Sequence, residues 1–426
     1  MCQRALPAIL LLAGLVATTP LGAIELYAPG SSRADLSGDV KTFFIGVLPY
    51  EHALMPEDPF AIGALDLRLK LEAALGDRLS CSVHHQLALS SASGVGLGLG
   101  ASTGGQAEAA PQALDLSWAV VDGQGMQATL RVDRAFVRLR LDMLDVIVGR
   151  QPVTFGSTFF FTPMDLVAAF SPTTIDREYK PGIDAARVDM FFGTSGRLTL
   201  VAAYAGDWDV DQFILASRAS TTFDVWDVGV LAARSHGDLV LGVDVSGDIL
   251  GVALRGETTV TRPRQGDPFV RASLGSDIRP GYGLTLMGEV YAQSLGADDP
   301  ADYLKVAASE RFARGELWAM GQYYAALSLG YELLPIVNLG AFAVANLLDG
   351  SALIGPSLGW SISDEAALSL GAYIGLGKRP EDVTLPSMSA PGLASGAAQD
   401  PSQLLRPRSE FGLSPAALFA ELKAYF

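Results

Sequence analysis

The sequence predicts an all-β fold, a single transmembrane antiparallel β-barrel of 16 to 18 strands with 18 preferred and with long extracellular loops. Three observations predict it. The chain is 49% hydrophobic with mean hydropathy +0.30, yet past its N-terminus there is no unbroken apolar run of the roughly 18 residues that a membrane helix requires. Apolar residues instead recur at every second position, the period of a strand with one apolar face. Many of these segments reach the ~9 to 11 residues that a tilted strand needs to cross the hydrocarbon layer. A secreted β-sandwich has the same period, because its two sheets also turn apolar faces toward each other; the strand lengths weigh against it.

The N-terminus sets the compartment. Arg4 is the only charge before an apolar run from Ala5 to Val16, and small residues follow to Ala23. Residues 1–23 are therefore expected to be a secretory signal peptide, 24–39 a short periplasmic segment, and 40–426 one barrel. Cys2 would leave with the signal, so Cys81 would stand alone and no intramolecular disulfide would form. The net charge of −16 argues against a nucleic-acid partner, which requires a basic footprint.

Strand patterning starts at Val40–Leu48 and is sharpest at Ile62–Leu75, where Leu65, Leu67, Leu69, Leu71 and Ala73 alternate with Asp66, Arg68, Lys70 and Glu72. Four successive charges on one face demand water on that side. After Gly76-Asp77, Arg78–Leu89 repeats the pattern, so the two make a hairpin. The Gly, Ala and Ser-rich stretch from Ser90 to Met126 reads as a loop, and its alternating glycines lack the Lys-Ser/Thr and helix of a phosphate cradle. In Gln127–Leu141 the apolar parity switches from Leu130 and Val132 to Ala135, Val137, Leu139 and Leu141, which predicts a bulge near Asp133-Arg134. Further strands are expected at Met143–Arg150, Gly182–Phe192, Arg197–Tyr204, Phe223–Arg234, Asp238–Ser246, Ile249–Thr261, Phe269–Asp277 and Tyr282–Gln293. Leu304–Arg311 fits strand or helix and is counted as a strand. Leu317–Leu333, Ile336–Asn346, Leu353–Ser363, Ala366–Gly377 and Leu418–Phe426 complete the set, with Lys378–Ala416 as a last long loop. Long connections then follow strands 3, 5, 7 and 17, all odd, as they should if the N-terminus is periplasmic, and the link 294–303 before Leu304 is the one that breaks the rule.

With apolar faces to lipid, the other parity lines the lumen. Its charges are lopsided. In the first half basic residues lead: Arg68, Lys70, Arg78, Arg134, Arg138, Arg140, Arg187 and Arg197, against Asp66, Glu72 and Asp189. In the second half acids lead: Asp244, Glu257, Asp277, Glu289, Glu332 and Glu421, against Arg255, Arg271 and Lys423. The eight basic residues are the expected pore-lining and solute-binding set, because low-dielectric walls focus such a field on charged solutes. Solvation, or pairing across strands, is the competing reading of the same charges. The segment Pro152–Pro181, which follows the arginines, carries Phe159-Phe160-Phe161, Asp165, Asp176 and Glu178. Folded inward it would form a constriction, with Asp165, Asp176 and Glu178 facing arginines.

No catalytic site, metal site or cofactor is expected. His84 and His85 are adjacent on a strand and point to opposite faces, which rules them out as ligands of one metal. Ser235-His236 lies in a turn with no orienting group, and no Cys/His spacing or nucleophile elbow occurs.

The terminal strand carries a resemblance. Leu418, Ala420, Leu422, Ala424 and Phe426 share one face, against Phe419, Glu421, Lys423 and Tyr425, and this pattern resembles the last strand of bacterial outer-membrane β-barrels. In that group the final phenylalanine is read by the barrel-assembly machinery, which implies Phe426 as the assembly signal. The run from Gly149-Arg150-Gln151 through Phe155-Gly156 and Pro163 to Asp165 is similar to segments of alginate-export-type and related outer-membrane channels. The lopsided charge departs from the alginate-export pattern, so no polysaccharide substrate is inferred. The resulting expectation is a porin-like channel in the bacterial outer membrane, passing small or anionic solutes passively. Its expected partners are outer-membrane lipid, the assembly machinery, a small-molecule solute of unknown identity and two further copies in a homotrimer. A non-conducting structural, adhesive or assembly barrel is the alternative, and an outer-membrane enzyme a more distant one.

Overall fold

The computed structural model describes residues 23–28, 30–52, 55–91, 112–123, 125–167, 169–170, 174, 177–206, 208, 212–382 and 405–426. Eighteen strands form the wall. They are β1 (Arg33–Leu48), β2 (Phe60–Leu75), β3 (Leu79–Ser90), β4 (Met126–Leu141), β5 (Leu144–Gln151), β6 (Ile183–Phe192), β7 (Gly196–Tyr204), β8 (Phe213–Phe223) and β9 (Trp226–Ser235). They continue as β10 (Asp238–Ile249), β11 (Val252–Arg262), β12 (Phe269–Gly281), β13 (Leu284–Gln293), β14 (Tyr323–Leu334), β15 (Val337–Asn346), β16 (Ala352–Ser363), β17 (Ala366–Leu376) and β18 (Ala416–Tyr425).

Each strand pairs antiparallel with the next, and β18 pairs with β1 from Asp39↔Tyr425 to Leu48↔Ala416, which closes the barrel. One further rung lies below that register: the Gly38 N–H donates to the Phe426 carbonyl at 2.7 Å, and the Phe426 N–H donates to Gly38 O at 2.9 Å. Gly38 is required there, because a Cβ would stand 2.5 Å from the Phe426 ring and 2.6 Å from Arg68 O. No helix among the described residues is long and apolar enough to cross a membrane.

Connections after even-numbered strands are tight. The pairs Leu141↔Leu144, Phe223↔Trp226, Ile249↔Val252, Gly281↔Leu284, Leu334↔Val337 and Ser363↔Ala366 each close a two-residue turn. The long connections follow β3, β5, β13 and β17. Short turns belong on the periplasmic side and long loops outside, so this end-to-end difference orients the barrel.

Sequence and structure agree on 18 strands but not on which 18. Phe213–Phe223 is a strand that the alternation did not reveal, and Leu304–Arg311 is helical, so the two differences cancel. The helical segment consists of Pro300–Asp302, Tyr303–Ala307 and Glu310–Ala313, with Asp299 and Ser309 side chains capping Ala301 and Phe312 N–H groups. It lies in the connection after β13, whose length therefore obeys the odd-strand rule. The bulge is where the parity switch put it: Val132 pairs with His85 and Arg134 with His84, leaving Asp133 as the extra residue. The first wall strand begins at Arg33 and is led by a short strand, Ile24–Tyr27, so segment 24–39 is largely sheet. Within the expected loop 90–126, Ser117–Gly123 is an accessory strand on the outer part of β4. Residues 1–22 of the expected signal peptide 1–23, and most of the two longest loops, lie outside the described residues.

The largest apolar core lies inside the barrel. Lumen-facing Ile183, Ala185, Val201, Ala203, Ile214, Ala216, Leu231, Ala233 and Val240 on β6 to β10 are covered by Val153, Phe155, Met164 and Val167 of the β5–β6 connection. These lumen positions are apolar because a loop, rather than water, covers them.

Candidate lumen and constriction

The charged strands β1 to β4 build one wall. On β2 the alternation points Asp66, Arg68, Lys70 and Glu72 inward, and neighbouring registers align Asp39 with Arg68, Arg68 with Gln86, and Gln86 with Arg131. The next row toward the periplasm aligns Lys70, His84 and Arg134. The bulge aims the Asp133 carboxylate at Arg68, 2.5 Å away, and resets parity so that Arg134, Arg138 and Arg140 all face the lumen. Lys70 pairs with Asp39 at 2.6 Å.

Facing this wall is Tyr179 of the β5–β6 connection. Arg68 lies 4.2 Å, Lys70 4.4 Å, Lys41 4.7 Å and Arg134 5.4 Å from its ring centroid. Four cations around one ring exploit the negative aromatic face, and Lys70 also donates to the Tyr179 hydroxyl. Beside it Glu178 accepts from Lys41 at 2.7 Å and from Tyr425 OH at 3.0 Å, with Lys423 at 3.7 Å. Burial pushes the Glu178 carboxyl up, but the lysines and the Tyr425 hydroxyl outweigh it and hold it below the usual range. Within the same connection Lys180 reaches Asp165 at 2.5 Å and the Thr154 hydroxyl at 2.7 Å. Burial lowers the Lys180 ammonium pKa despite that partner.

The acidic half of the wall grips the other side of the connection. The Glu257 carboxylate on β11 accepts from Thr158 N–H at 2.8 Å, from Met164 N–H at 3.0 Å and from Ser157 through both N–H and hydroxyl. On β13 Glu289 accepts from the N–H groups of Phe159, Phe160 and Phe161 at 2.9, 3.1 and 2.7 Å, and from Ser273 OH at 2.8 Å. Arg271 on β12 donates to Pro163 O at 2.9 Å. Six loop N–H groups are thus satisfied by two carboxylates, which lets irregular backbone lie inside a barrel without unpaired donors. Phe161 stacks on Tyr291 at 4.4 Å.

The sequence-predicted residues divide accordingly. Arg68, Lys70 and Arg134 meet at Tyr179, and Arg138, paired with Ser80, lies two rows nearer the periplasm. Arg187 and Arg197 both pair with Asp189, at 2.8 Å each, on a different part of the wall. Arg78 is not in the lumen: it is exposed in the β2–β3 turn, where its parity runs out of strand. Arg140 is exposed at the foot of β4, 4.0 Å from Asp145. The described residues of the connection 152–182 lie against the inward faces of the strands, and their acids meet lysines rather than arginines, Asp165 with Lys180 and Glu178 with Lys41. Asp176 lies outside the described residues. Sequence reasoning missed Lys41 and Tyr179; inward parity with Asp39 on β1 could have found Lys41, whereas no periodicity marks Tyr179 in irregular backbone. Arg150 is structural, buried between Asp184 and the carbonyls of Val132 and Leu114.

One cluster looks catalytic on paper. Ser82, His84 and Glu72 lie within 3.1 Å of one another. Both partners, however, sit on Nε2 of His84, and its Nδ1 is buried without a partner. A nucleophile relay needs the base between the hydroxyl and the acid, one on each ring nitrogen. No group of three potential metal ligands occurs among the described residues.

No family model and no curated protein sequence matches the chain. Its fold does have solved counterparts. It is similar to OccAB4 of Acinetobacter baumannii (TM-score 0.55, 7% identity, 92% of this chain and 98% of that one). It is also similar to a BenF-like porin from Pseudomonas fluorescens Pf-5 (0.53, 10%, 93% and 99%) and to the outer membrane protein OpdK of Pseudomonas aeruginosa (0.50, 8%, 92% and 98%). The closed 18-stranded barrel with its tight turns at one end and long loops at the other has the fold of an outer-membrane porin.

Proposed function

We propose that this chain is a porin-like channel of the bacterial outer membrane that passes small anionic solutes passively along the β1–β4 wall. The observation that carries the reading is the cation cluster around Tyr179, continued toward the periplasm by Arg138; the buried Nε atoms of Arg134 and Arg138 make no hydrogen bond. Cations with unused donors in a low-dielectric cleft attract carboxylate or phosphate oxygens and release them to the next site. The connection 152–182 narrows the passage from the opposite side, and Arg187 and Arg197 extend the basic lining. The chain needs no enzymatic role in this reading: the one Ser/His/Glu cluster has the wrong geometry, and the similar folds are porins.

Membrane lipid contacts the outward apolar face, the assembly machinery receives the C-terminal strand ending at Phe426, and a homotrimer is the assembly state. Mass measurement in detergent tests the last. Liposome swelling tests the channel itself. Proteoliposomes should swell faster in small monocarboxylates than in cationic or neutral solutes of equal size; equal rates would remove the selectivity, and no swelling would remove the channel. No swelling would favour a second reading. Segment 152–182 and Glu410 on the β17–β18 loop, which accepts from Tyr324 OH and from Asn346 at 2.7 Å, both lie inside the wall, as a non-conducting barrel would have them.

A further inference from the structure

The periplasmic turns are not alike. Those after β8, β10, β12 and β14 carry Val225, Leu250, Tyr282 and Ile336 at their tips, and Leu250 and Tyr282 are 100% and 97% exposed. The other four are built from Gly76-Asp77-Arg78, Asp142-Met143, Gly193-Thr194-Ser195 and Asp364-Glu365, with Met143 their one large apolar side chain. The apolar tips lie on consecutive hairpins, so they form one arc of the rim.

Turn geometry does not call for these side chains. Leu250 (φ 54°) and Tyr282 (φ 55°) each precede a glycine of positive φ in a two-residue hairpin turn. That backbone is strained for a bulky residue and favours Asn, Asp or Gly. A large side chain in a left-handed conformation with no protein contact asks for a partner outside the barrel.

We infer that this arc, from the β8–β9 turn to the β14–β15 turn, is seated in the headgroup layer of the membrane's periplasmic leaflet, while the polar turns project into the periplasm. Continuity identifies the occupant as lipid. The outward residues above the same arc, Val230, Leu241, Val260, Leu274, Val290 and Leu327, are large, apolar and exposed, and Leu250 and Tyr282 prolong that belt past the last rung of sheet. Tyr is suited to such a layer, with an apolar ring and a polar tip. Outward Trp226 packs over Gly247 at the same level, where a Cβ would lie 2.5 Å from the indole. The barrel therefore rides deeper on one side, tilted toward the β8–β15 arc.

The inference rests on the barrel's insertion in a membrane, and one experiment separates the two. Single cysteines are placed in a Cys81→Ser background by Leu250→Cys, Tyr282→Cys, Asp364→Cys and Leu274→Cys, labelled with an environment-sensitive dye and reconstituted in phosphatidylethanolamine/phosphatidylglycerol vesicles. Quenching by headgroup nitroxide lipid is then compared with quenching by aqueous iodide. Leu250→Cys and Tyr282→Cys should be quenched several-fold more by lipid than Asp364→Cys, which iodide should reach. Iodide access at 250 and 282 equal to that at 364, with Leu274→Cys still lipid-quenched, overturns the inference alone; no lipid quenching at 274 overturns the insertion itself. Ile336→Cys reports on the same arc if a strained tip does not tolerate the label.

Discussion

Replacing Glu289 by Gln tests what holds the constriction in place. The wild-type carboxylate accepts from three successive N–H groups, those of Phe159, Phe160 and Phe161, and from the Ser273 hydroxyl. A hydrogen bond to a charged group contributes about 1.5–3 kcal/mol, and a buried donor left unmatched costs about 1–3 kcal/mol. Gln keeps one acceptor oxygen and turns an NH2 toward at least one of the three donors. The tip of the loop should therefore loosen by about 3 kcal/mol, near a 100-fold shift toward a detached state. Glu257, Arg271 and the apolar packing of Val153, Phe155 and Met164 keep the remainder of the loop attached, so the barrel should stay folded. Single-channel recording in planar bilayers should show a higher mean conductance and more open-state noise than wild type. Glu257→Gln should behave alike, and because the two carboxylates grip adjacent residues, the double variant should exceed the sum of the singles. Unchanged conductance and noise in the double variant, with the barrel intact, would refute the clamp.

Other consequences are narrower. Arg134→Gln combined with Arg138→Gln should move the reversal potential in a KCl gradient toward cation selectivity, and an unchanged potential would remove both from the pathway. Tyr179→Leu removes the ring shared by Arg68, Lys70 and Lys41 at about 0.5–1 kcal/mol per contact, whereas Tyr179→Phe keeps the ring and loses only the Lys70 bond; conductance should change more in Leu than in Phe. Gly38→Ala drives a Cβ into Arg68 O and the Phe426 ring, and overpacking of this kind costs about 1–3 kcal/mol. The temperature at which the folded gel band is lost should fall, while Gly46→Ala, whose nearest neighbour is 3.9 Å away, should leave it unchanged. For pH, the lowered Glu178 pKa means that its ion pair with Lys41 contributes fully above the ordinary glutamate value of 4.5 and is lost as pH falls through the lower folded value. Conductance should thus change at acid pH in wild type and lose that component in Glu178→Gln.

What could be read in advance follows from where each residue's partner lies. Strands with lipid on one face and water on the other declared themselves, as β2 did through Leu65 to Glu72. The bulge at Asp133 was legible because a one-residue slip inverts every later side chain. β8 was not, for in its outer half Ile214 and Ala216 face a loop while Leu215 faces lipid, so both faces are apolar. Leu304–Arg311 reads either way because its helices are only a turn long and are fixed by the Asp299 and Ser309 caps. At the constriction, the arginines and lysines of β2 and β4 were identifiable from parity. Their organiser, Tyr179, sits in backbone with no period. The role of Glu257 and Glu289 as anchors depended on N–H groups about a hundred residues away.

A water-filled passage lined by a basic wall and narrowed by an inserted loop should conduct ions. Single-channel recording of the purified protein in a planar bilayer under a tenfold KCl gradient tests it most directly. Discrete conductance steps with a reversal potential displaced toward chloride are expected. A protein that inserts, as judged by its folded gel band from the same membranes, yet gives no steps at any ionic strength would contradict it.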